Sequence, residues 1–394
     1  MWAGASRRCS ILTAAGYIPV RSPGDGRGAV RSNPWERVMK HILRVILLVL
    51  VPVPALAQGT VATDIEAVAD SIAAEVLKTP VAGIAVAVAH GGEVIFRKAY
   101  GMADVAARMP LTPEDQHQVG SVTKQFTAAA ILQLVEQGRI SLDDTIQKFL
   151  PDFDTQGRTV TIHHLLNHTS GIRSYTAIFG MNPVSREALL DTIQRHPYDF
   201  VPGEKFLYNN SGYYLLGVIL ERVTGTPYAH YLEERFFDPL GLRSTSYCGR
   251  DGEEIPVGYA PDDGSLTTSL LSDMEFPGAA GGLCSTVDDL LAWQHALVSG
   301  EIVKPETYVR MTTPAKVASG EPMTYGYGLA VGDVEGHPIV AHDGGIPGFN
   351  SSLAYFPADS LGVAVLVNTA PGYAGRVQQA IARAALGLPP EKRD

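Results

Sequence analysis

The chain has 394 residues, of which 45% are hydrophobic and 18% charged, so it can bury a substantial core and is not a disordered chain. Its formal net charge is −10, and the 23 basic and 39 acidic residues after position 57 leave −16, which disfavours nucleic acid and anionic membranes as partners. No repeat of fixed period and no long low-complexity tract is present.

Residues 1–38 are rich in Arg, Gly, Ser and Pro and carry no apolar period. From Met39 the layout changes. Lys40, His41 and Arg44 form a basic front, Ile42 to Val53 is apolar, and Ala55-Leu56-Ala57 supplies an A-x-A cleavage pattern before Gln58. This is the layout of a secretory signal peptide. A membrane anchor is the other reading of such a run, but this one is short for a span and carries Pro52 and Pro54. The expectation is translation from Met39, cleavage near Gln58 and export to the periplasm or beyond. Residues 1–57 are then extension and signal, and a peptide from 1–38 in native protein would contradict that start. Cys9 leaves with the extension. Cys248 and Cys284 remain, and in an oxidising compartment they pair only if the fold brings their Cα atoms close, which the sequence leaves open.

Ala62 to Leu77 has a helical pattern. "GIAVAVAHGGEVIFRKAYG" follows, two β-rich runs around His90-Gly91-Gly92-Glu93, which predicts a hairpin. "GSVTKQFTAAAILQLVEQG" is apolar nearly all round from Phe126 to Val135 and predicts a buried helix stopped at Gly138. From about 140 to 300 the patterns are mostly helical. "TIHHLLNHTSG" predicts a short helix ended by Gly171, and "SGYYLLGVILERVTG" an amphipathic helix closing at Gly225. "TPYAHYLEERFFDPLGL" has Pro near a helix start, and "STVDDLLAWQHALVSG" has Ser285 or Thr286 as cap and Gly300 as stop. After 325, "YGYGLAVGDV", "HPIVAHDGG", "FNSSLAYFP" and "LGVAVLVNT" are β-like, and "AGRVQQAIARAALG" is a closing helix. The economical architecture is α/β of the α+β kind. One antiparallel sheet is built from both ends of the chain (58–115 and 300–390) and covered by terminal helices, with a mainly helical lobe (116–299) inserted.

Lys124 poses a chemical question, because a buried ammonium is costly unless it is paired or loses its proton. Ser121 and Lys124 share a helix face at i and i+3, where unpaired backbone N–H groups favour developing negative charge. A desolvated amine has a lowered pKa and can act as the base that activates a neighbouring hydroxyl as nucleophile. The alternative, a capping serine with a snorkelling lysine, stays open on this pair alone. Two companions bear on it. "PGEKFLYNNSGYYLLG" holds Tyr208 and Asn210, a phenol that can carry a proton and an amide that can donate to a carbonyl, although a loop tyrosine and a helix cap are also common there. "VAHDGGIPGF" ends a β-like run at His342, and Gly344-Gly345 lets backbone approach a ligand; an edge strand here would offer the Gly345 N–H as an oxyanion donor opposite that of Ser121.

In this order the three motifs resemble those of the serine β-lactamase and penicillin-binding protein family, nearest to the branch of class C β-lactamases, D-Ala-D-Ala carboxypeptidases and esterases. "LLNHTSGI", "GGLCSTVDDL" and "YGYG" are similar too, and the resemblance covers about 65–385. It implies a β-lactamase/transpeptidase-like fold with a site between two lobes. It implies Ser121 as nucleophile, Lys124 as its base, Tyr208 as second proton carrier, and Asn210, His342, Gly344 and Gly345 as substrate-binding positions. It implies no metal and no cofactor, and a small-molecule or short-peptide substrate. The third motif departs from the Lys-Thr-Gly of class C β-lactamases: here it is His342-Asp343-Gly344. A histidine with an ordinary pKa is only about one-quarter charged at pH 7, and Asp343 adds negative charge where a substrate carboxylate would sit. That favours a D-aminopeptidase-, carboxypeptidase- or esterase-like hydrolase over a β-lactamase, with a non-catalytic peptidoglycan- or ligand-binding scaffold as the reading of another class. No serine has the G-x-S-x-G elbow, and His163, His164 and His168, without H-E-x-x-H or paired Cys, are expected to be structural.

Overall fold

The structure, a computed structural model, describes residues 55–249 and 255–391. The expectations for Met39 and for nearly all of the signal segment therefore lie outside the described residues.

A seven-stranded antiparallel sheet organises the chain. Its strands are β1 (Gly83–His90), β2 (Glu93–Asp104), β3 (Met109–Pro110), β9 (Ala330–Val334), β10 (His337–Ile346), β11 (Phe349–Phe356) and β12 (Leu361–Val367), in the order β3-β2-β1-β12-β11-β10-β9. The intervening chain supplies β4 (His117–Gln118), β5 (Ser246–Tyr247) and β8 (Leu283–Ser285), which form a small sheet ordered β4-β8-β5, and the hairpin β6 (Tyr259–Asp262) with β7 (Ser265–Thr268). The helices of ten residues or more are α1 (Ala55–Val76), α2 (Thr123–Glu136), α3 (Arg186–Arg195), α4 (Asn210–Thr224), α5 (Val287–Ser299) and α6 (Ala374–Ala385).

The sheet is assembled from both ends of the sequence, as the β-rich texture predicted: β1 pairs antiparallel with β12 from Ile84↔Val367 to His90↔Leu361. Alternation sorts its two faces. Ile84, Val86 and Val88, with Val363, Val365 and Val367, pack beneath Ile65, Ala69, Ile72 and Val76 of α1 and Val377 and Ile381 of α6. On the other face β1 carries only Ala85, Ala87 and Ala89, and α5 packs there on β1 and β12. The approach is close: a Cβ on Gly362 would stand 2.5 Å from Gln294 Oε1.

Local signals explain several element ends. Gly91 and Gly92 take φ of 60° and 88° and turn the β1–β2 hairpin. Thr286 caps α5, accepting from the Asp289 N–H, and Gly300 ends it in the left-handed region. Gly225 ends α4 in the same way.

Three predicted elements come out differently. The helix of "TIHHLLNHTSG" covers only Ile162–Leu166, with Asn167 as its C-cap, and His168 rather than a glycine takes the next left-handed position, φ 61°. "TPYAHYLEERFFDPLGL" is broken by a π-helical turn at Glu233–Phe237. "YGYGLAVGDV" becomes strand only from Ala330; Gly328 sits so close to α2 that a Cβ there would be 2.6 Å from the Lys124 carbonyl oxygen. The segment expected to be mainly helical also carries the small sheet, and Cys248 and Cys284 form a disulfide there, which settles the pairing that the sequence left open. Among the described residues no helix is long and apolar enough to cross a membrane.

Candidate active site

Ser121 sits in a 3-10 turn, Gly120–Val122, one turn ahead of α2 rather than within its first turn. Ser121 is partly exposed, whereas Lys124 beneath it is fully buried. Lys124 Nζ lies 3.0 Å from Ser121 Oγ and donates to the Ala280 carbonyl at 2.7 Å. Burial holds the Lys124 amine well below its ordinary pKa, and neither of these partners is a carboxylate. A neutral amine has two hydrogens and one lone pair; with one hydrogen on Ala280, the lone pair can face the Ser121 hydroxyl.

Tyr208 closes the group from the loop before α4. Lys124 Nζ stands 4.9 Å from its ring centroid. The Tyr208 hydroxyl is buried, with no hydrogen-bond partner of normal geometry among the described residues. Burial raises its pKa, the nearby Ser121 hydroxyl acts against that rise, and Asp343 adds to it.

The third motif lies on β10. β9 pairs with β10 only as far as Ala341, so from His342 to Ile346 that edge has no strand beside it among the described residues, and the Ser121 turn takes the place. A Cβ on Gly120 would be 3.0 Å from the Gly345 nitrogen, and one on Gly344 would be 2.0 Å from the Val119 carbonyl oxygen and 2.3 Å from Ser351 Oγ. The Ser351 hydroxyl donates to that same Val119 carbonyl at 2.7 Å, strapping β11 to the residue before the turn. Gly344→Ala is therefore expected to cost about 2–4 kcal/mol, from overpacking plus a broken buried hydrogen bond, and to lower turnover as the turn is pushed off β10. A variant with wild-type melting temperature and rate would mean that the strand and turn are not in this contact.

His342 faces the site and is buried. Its Nδ1–H donates to the Asp343 carbonyl at 2.6 Å, and its Nε2 accepts from the Tyr325 hydroxyl at 2.8 Å. Burial, and next the Lys124 amine, push its pKa down to about 3. The one-quarter charge expected of an ordinary histidine is thus corrected to none at neutral pH. Asp343 is on the opposite face of the strand, its carboxylate at the first turn of α6, where a Cβ on Gly375 would be 3.5 Å from it.

Asn210 occupies the first turn of α4. Its amide donates to Thr176 Oγ1 at 3.1 Å, and it makes no hydrogen bond to Ser121, Lys124 or Tyr208 among the described residues. The helix cap is its neighbour Asn209, whose Oδ1 accepts from the Gly212 N–H.

The structure thus brings Ser121, Lys124, Tyr208, His342, Gly344 and Gly345 together and ties Asn210 to the N-terminal turn of the short helix Tyr175–Phe179. Three further participants are not apparent from sequence: the Ala280 carbonyl, Tyr325 and His168. "YGYG" and "NHTSG" mark the last two as stretches but not as neighbours of Lys124. His163 Nδ1–H donates to the Tyr327 hydroxyl, and its Nε2 accepts from Asn167.

His342, His168 and His117 are all buried. Burial pushes His117 to about 4 and His168 well below the usual range. Between these folded values and the unfolded value near 6.5, the unfolded chain binds the extra protons, so stability is lost as pH falls through that window. The expected loss is about 2 kcal/mol per histidine by pH 4.5. Melting temperatures measured from pH 7 to 4.5 check this; a flat profile would mean that these rings are hydrated.

The beta-lactamase family model matches residues 68–388. Penicillin-binding protein 4* of Bacillus subtilis is 30% identical over 287 residues, 67% of this chain and 63% of the relative. A D-aminopeptidase of Brucella canis is 30% identical over 325 residues, 79% of this chain and 60% of the relative. The chain thus spans about three-fifths of the length of these curated relatives. Among solved structures, the octameric penicillin-binding protein homologue from Pyrococcus abyssi superposes with a TM-score of 0.74 at 33% identity, covering 83% of this chain and 78% of that one. With most of its sequence matched by the family model and its sheet and helices arranged as in a solved relative, the chain belongs to the beta-lactamase family.

Proposed function

We propose that the protein is a serine hydrolase that cleaves an ester or amide through an acyl-enzyme at Ser121. The observation that carries this reading is the fully buried Lys124 amine, 3.0 Å from the hydroxyl of a partly exposed serine. Ser121 Oγ attacks the carbonyl carbon and its proton passes to Lys124 Nζ. Tyr208 relays that proton to the leaving oxygen or nitrogen as the bond breaks. The N–H groups of Ser121 and Gly345 hold the oxyanion. Water then attacks the acyl-enzyme, its proton returns through the same groups, and the acid departs.

The third motif supports a substrate without a carboxylate at that position. His342 is neutral and both its ring nitrogens are engaged. A D-aminopeptidase-like or esterase-like activity fits this better than β-lactam hydrolysis, and the D-aminopeptidase relative points the same way. We also propose export: the 39–57 pattern and a disulfide at buried Cys248 and Cys284 both suit an oxidising compartment outside the cytoplasm. The partner is then a small molecule or short peptide.

The test is a parallel assay of wild type and Ser121→Ala on a chromogenic cephalosporin, a short-chain aryl ester and a D-amino-acid amide. Turnover of the ester or amide that disappears in the variant supports the proposal. Turnover of the cephalosporin alone favours a β-lactamase, and none, with no fluorophosphonate labelling of Ser121, favours a binding scaffold.

A further inference from the structure

We infer that His168 is a positioning residue that clamps Tyr208 from both sides, an inference that rests on the serine-hydrolase reading. His168 Nδ1 accepts the Asn209 N–H at 3.1 Å, and the His168 carbonyl accepts the Leu207 N–H at 3.0 Å. Leu207 and Asn209 are the residues on either side of Tyr208 in sequence. The His168 ring also lies against the Tyr208 ring, with centroids 4.4 Å apart, and against Tyr325 at 4.7 Å and Tyr213 at 5.1 Å. One residue thus fixes the backbone before the phenol, the backbone after it and one side of its ring.

The arrangement carries two local penalties. A non-glycine residue at φ 61° is held in the left-handed region. Accepting at Nδ1 also leaves the proton on Nε2, a buried donor with no partner among the described residues. A purely packing role would be met by an apolar ring without the second penalty. What an apolar ring lacks is the acceptor for Asn209.

The experiment separates positioning from packing by the leaving group. A nitrophenolate departs without a proton, whereas an ethoxide needs one, so misplacing Tyr208 should penalise the second selectively. Para-nitrophenyl and ethyl esters of one acyl group are compared by kcat/KM, which reports acylation, in wild type, His168→Phe, His168→Gln and His168→Asn, with melting temperatures alongside. Asn tolerates the left-handed backbone and places an oxygen near the Nδ1 position; Phe and Gln do not supply that acceptor. The expected result is a loss of about 100-fold on the ethyl ester and under about tenfold on the nitrophenyl ester for Phe and Gln. Asn should recover the ethyl ester to within about tenfold of wild type. If the Phe variant does not fold, Gln against Asn decides. Equal losses on both esters, or Gln at wild-type values, would overturn the inference alone. Wild-type protein that hydrolyses neither these esters nor the D-amino-acid amide would overturn the hydrolase reading and this inference with it.

Discussion

Ser121→Ala is expected to lose turnover by about four orders of magnitude or more and to keep its melting temperature within a few degrees. In the proposed mechanism Oγ is the attacking atom, so without it no acyl-enzyme forms and residual hydrolysis would come only from water near the oxyanion donors. The stability change is small because Ser121 is partly exposed and its hydroxyl is tied to the fold through Lys124 Nζ at 3.0 Å. A lost hydrogen bond of that kind is worth about 1 kcal/mol. Mass spectrometry after incubation with a fluorophosphonate gives a second readout, a single adduct on wild type and none on the variant. Unchanged turnover in Ser121→Ala would end the mechanism, whatever the fold.

Lys124 yields the second large effect, and here stability and activity move in opposite directions. At pH 7 the unfolded chain carries a protonated lysine, while the folded site holds the amine well below its ordinary pKa by burial. Folding must therefore expel a proton, which costs about 1.4 kcal/mol for each pH unit that separates the working pH, or the folded pKa where that is higher, from the unfolded value of 10.5. The sign follows: the wild type gains stability as pH rises towards 10.5. Lys124→Met removes the proton and the penalty at nearly the same volume, leaving only the Ala280 carbonyl short of a donor. It should melt above wild type at pH 7, with the gap closing by pH 10, and have turnover reduced by at least about a thousandfold. Lys124→Arg puts a permanent charge in the same site without a carboxylate partner and should lose about 3–5 kcal/mol. In the wild type, the acid limb of the pH–rate profile should follow protonation of this amine. A Lys124→Met protein that melts below wild type at every pH would show that the amine is a cation paired in the fold, not a base.

Much of this was legible in the sequence because it is local. The Gly91-Gly92 turn, the Thr286 cap and the Gly225 and Gly300 stops each depend on a few neighbouring residues, and so does the Ser121–Lys124 pair at i and i+3. The parts that escaped are those in which distant chain segments meet. The Lys124 amine is anchored by a carbonyl 156 positions away, and Gly344 is required by the Val119 carbonyl on another element. His168 looked like one of three structural histidines. Its bonds run to Leu207 and Asn209, and its ring is surrounded by tyrosines from separate segments. Asn209 and Asn210 are adjacent and identical, and only the geometry assigns the cap to the first. The charge of His342 could not be read either, since it depends on burial and on the amine of Lys124.

The pairing of β1 with β12 has a consequence for how the molecule comes into being. β1 can pair with β2 as soon as the hairpin is made, but its other edge waits for a partner some 270 residues later. The seam between β1 and β12 closes only after the final strand is made. Moving the β12–α6 segment ahead of β1 by circular permutation would let that seam form early, and the permuted chain should fold sooner during synthesis.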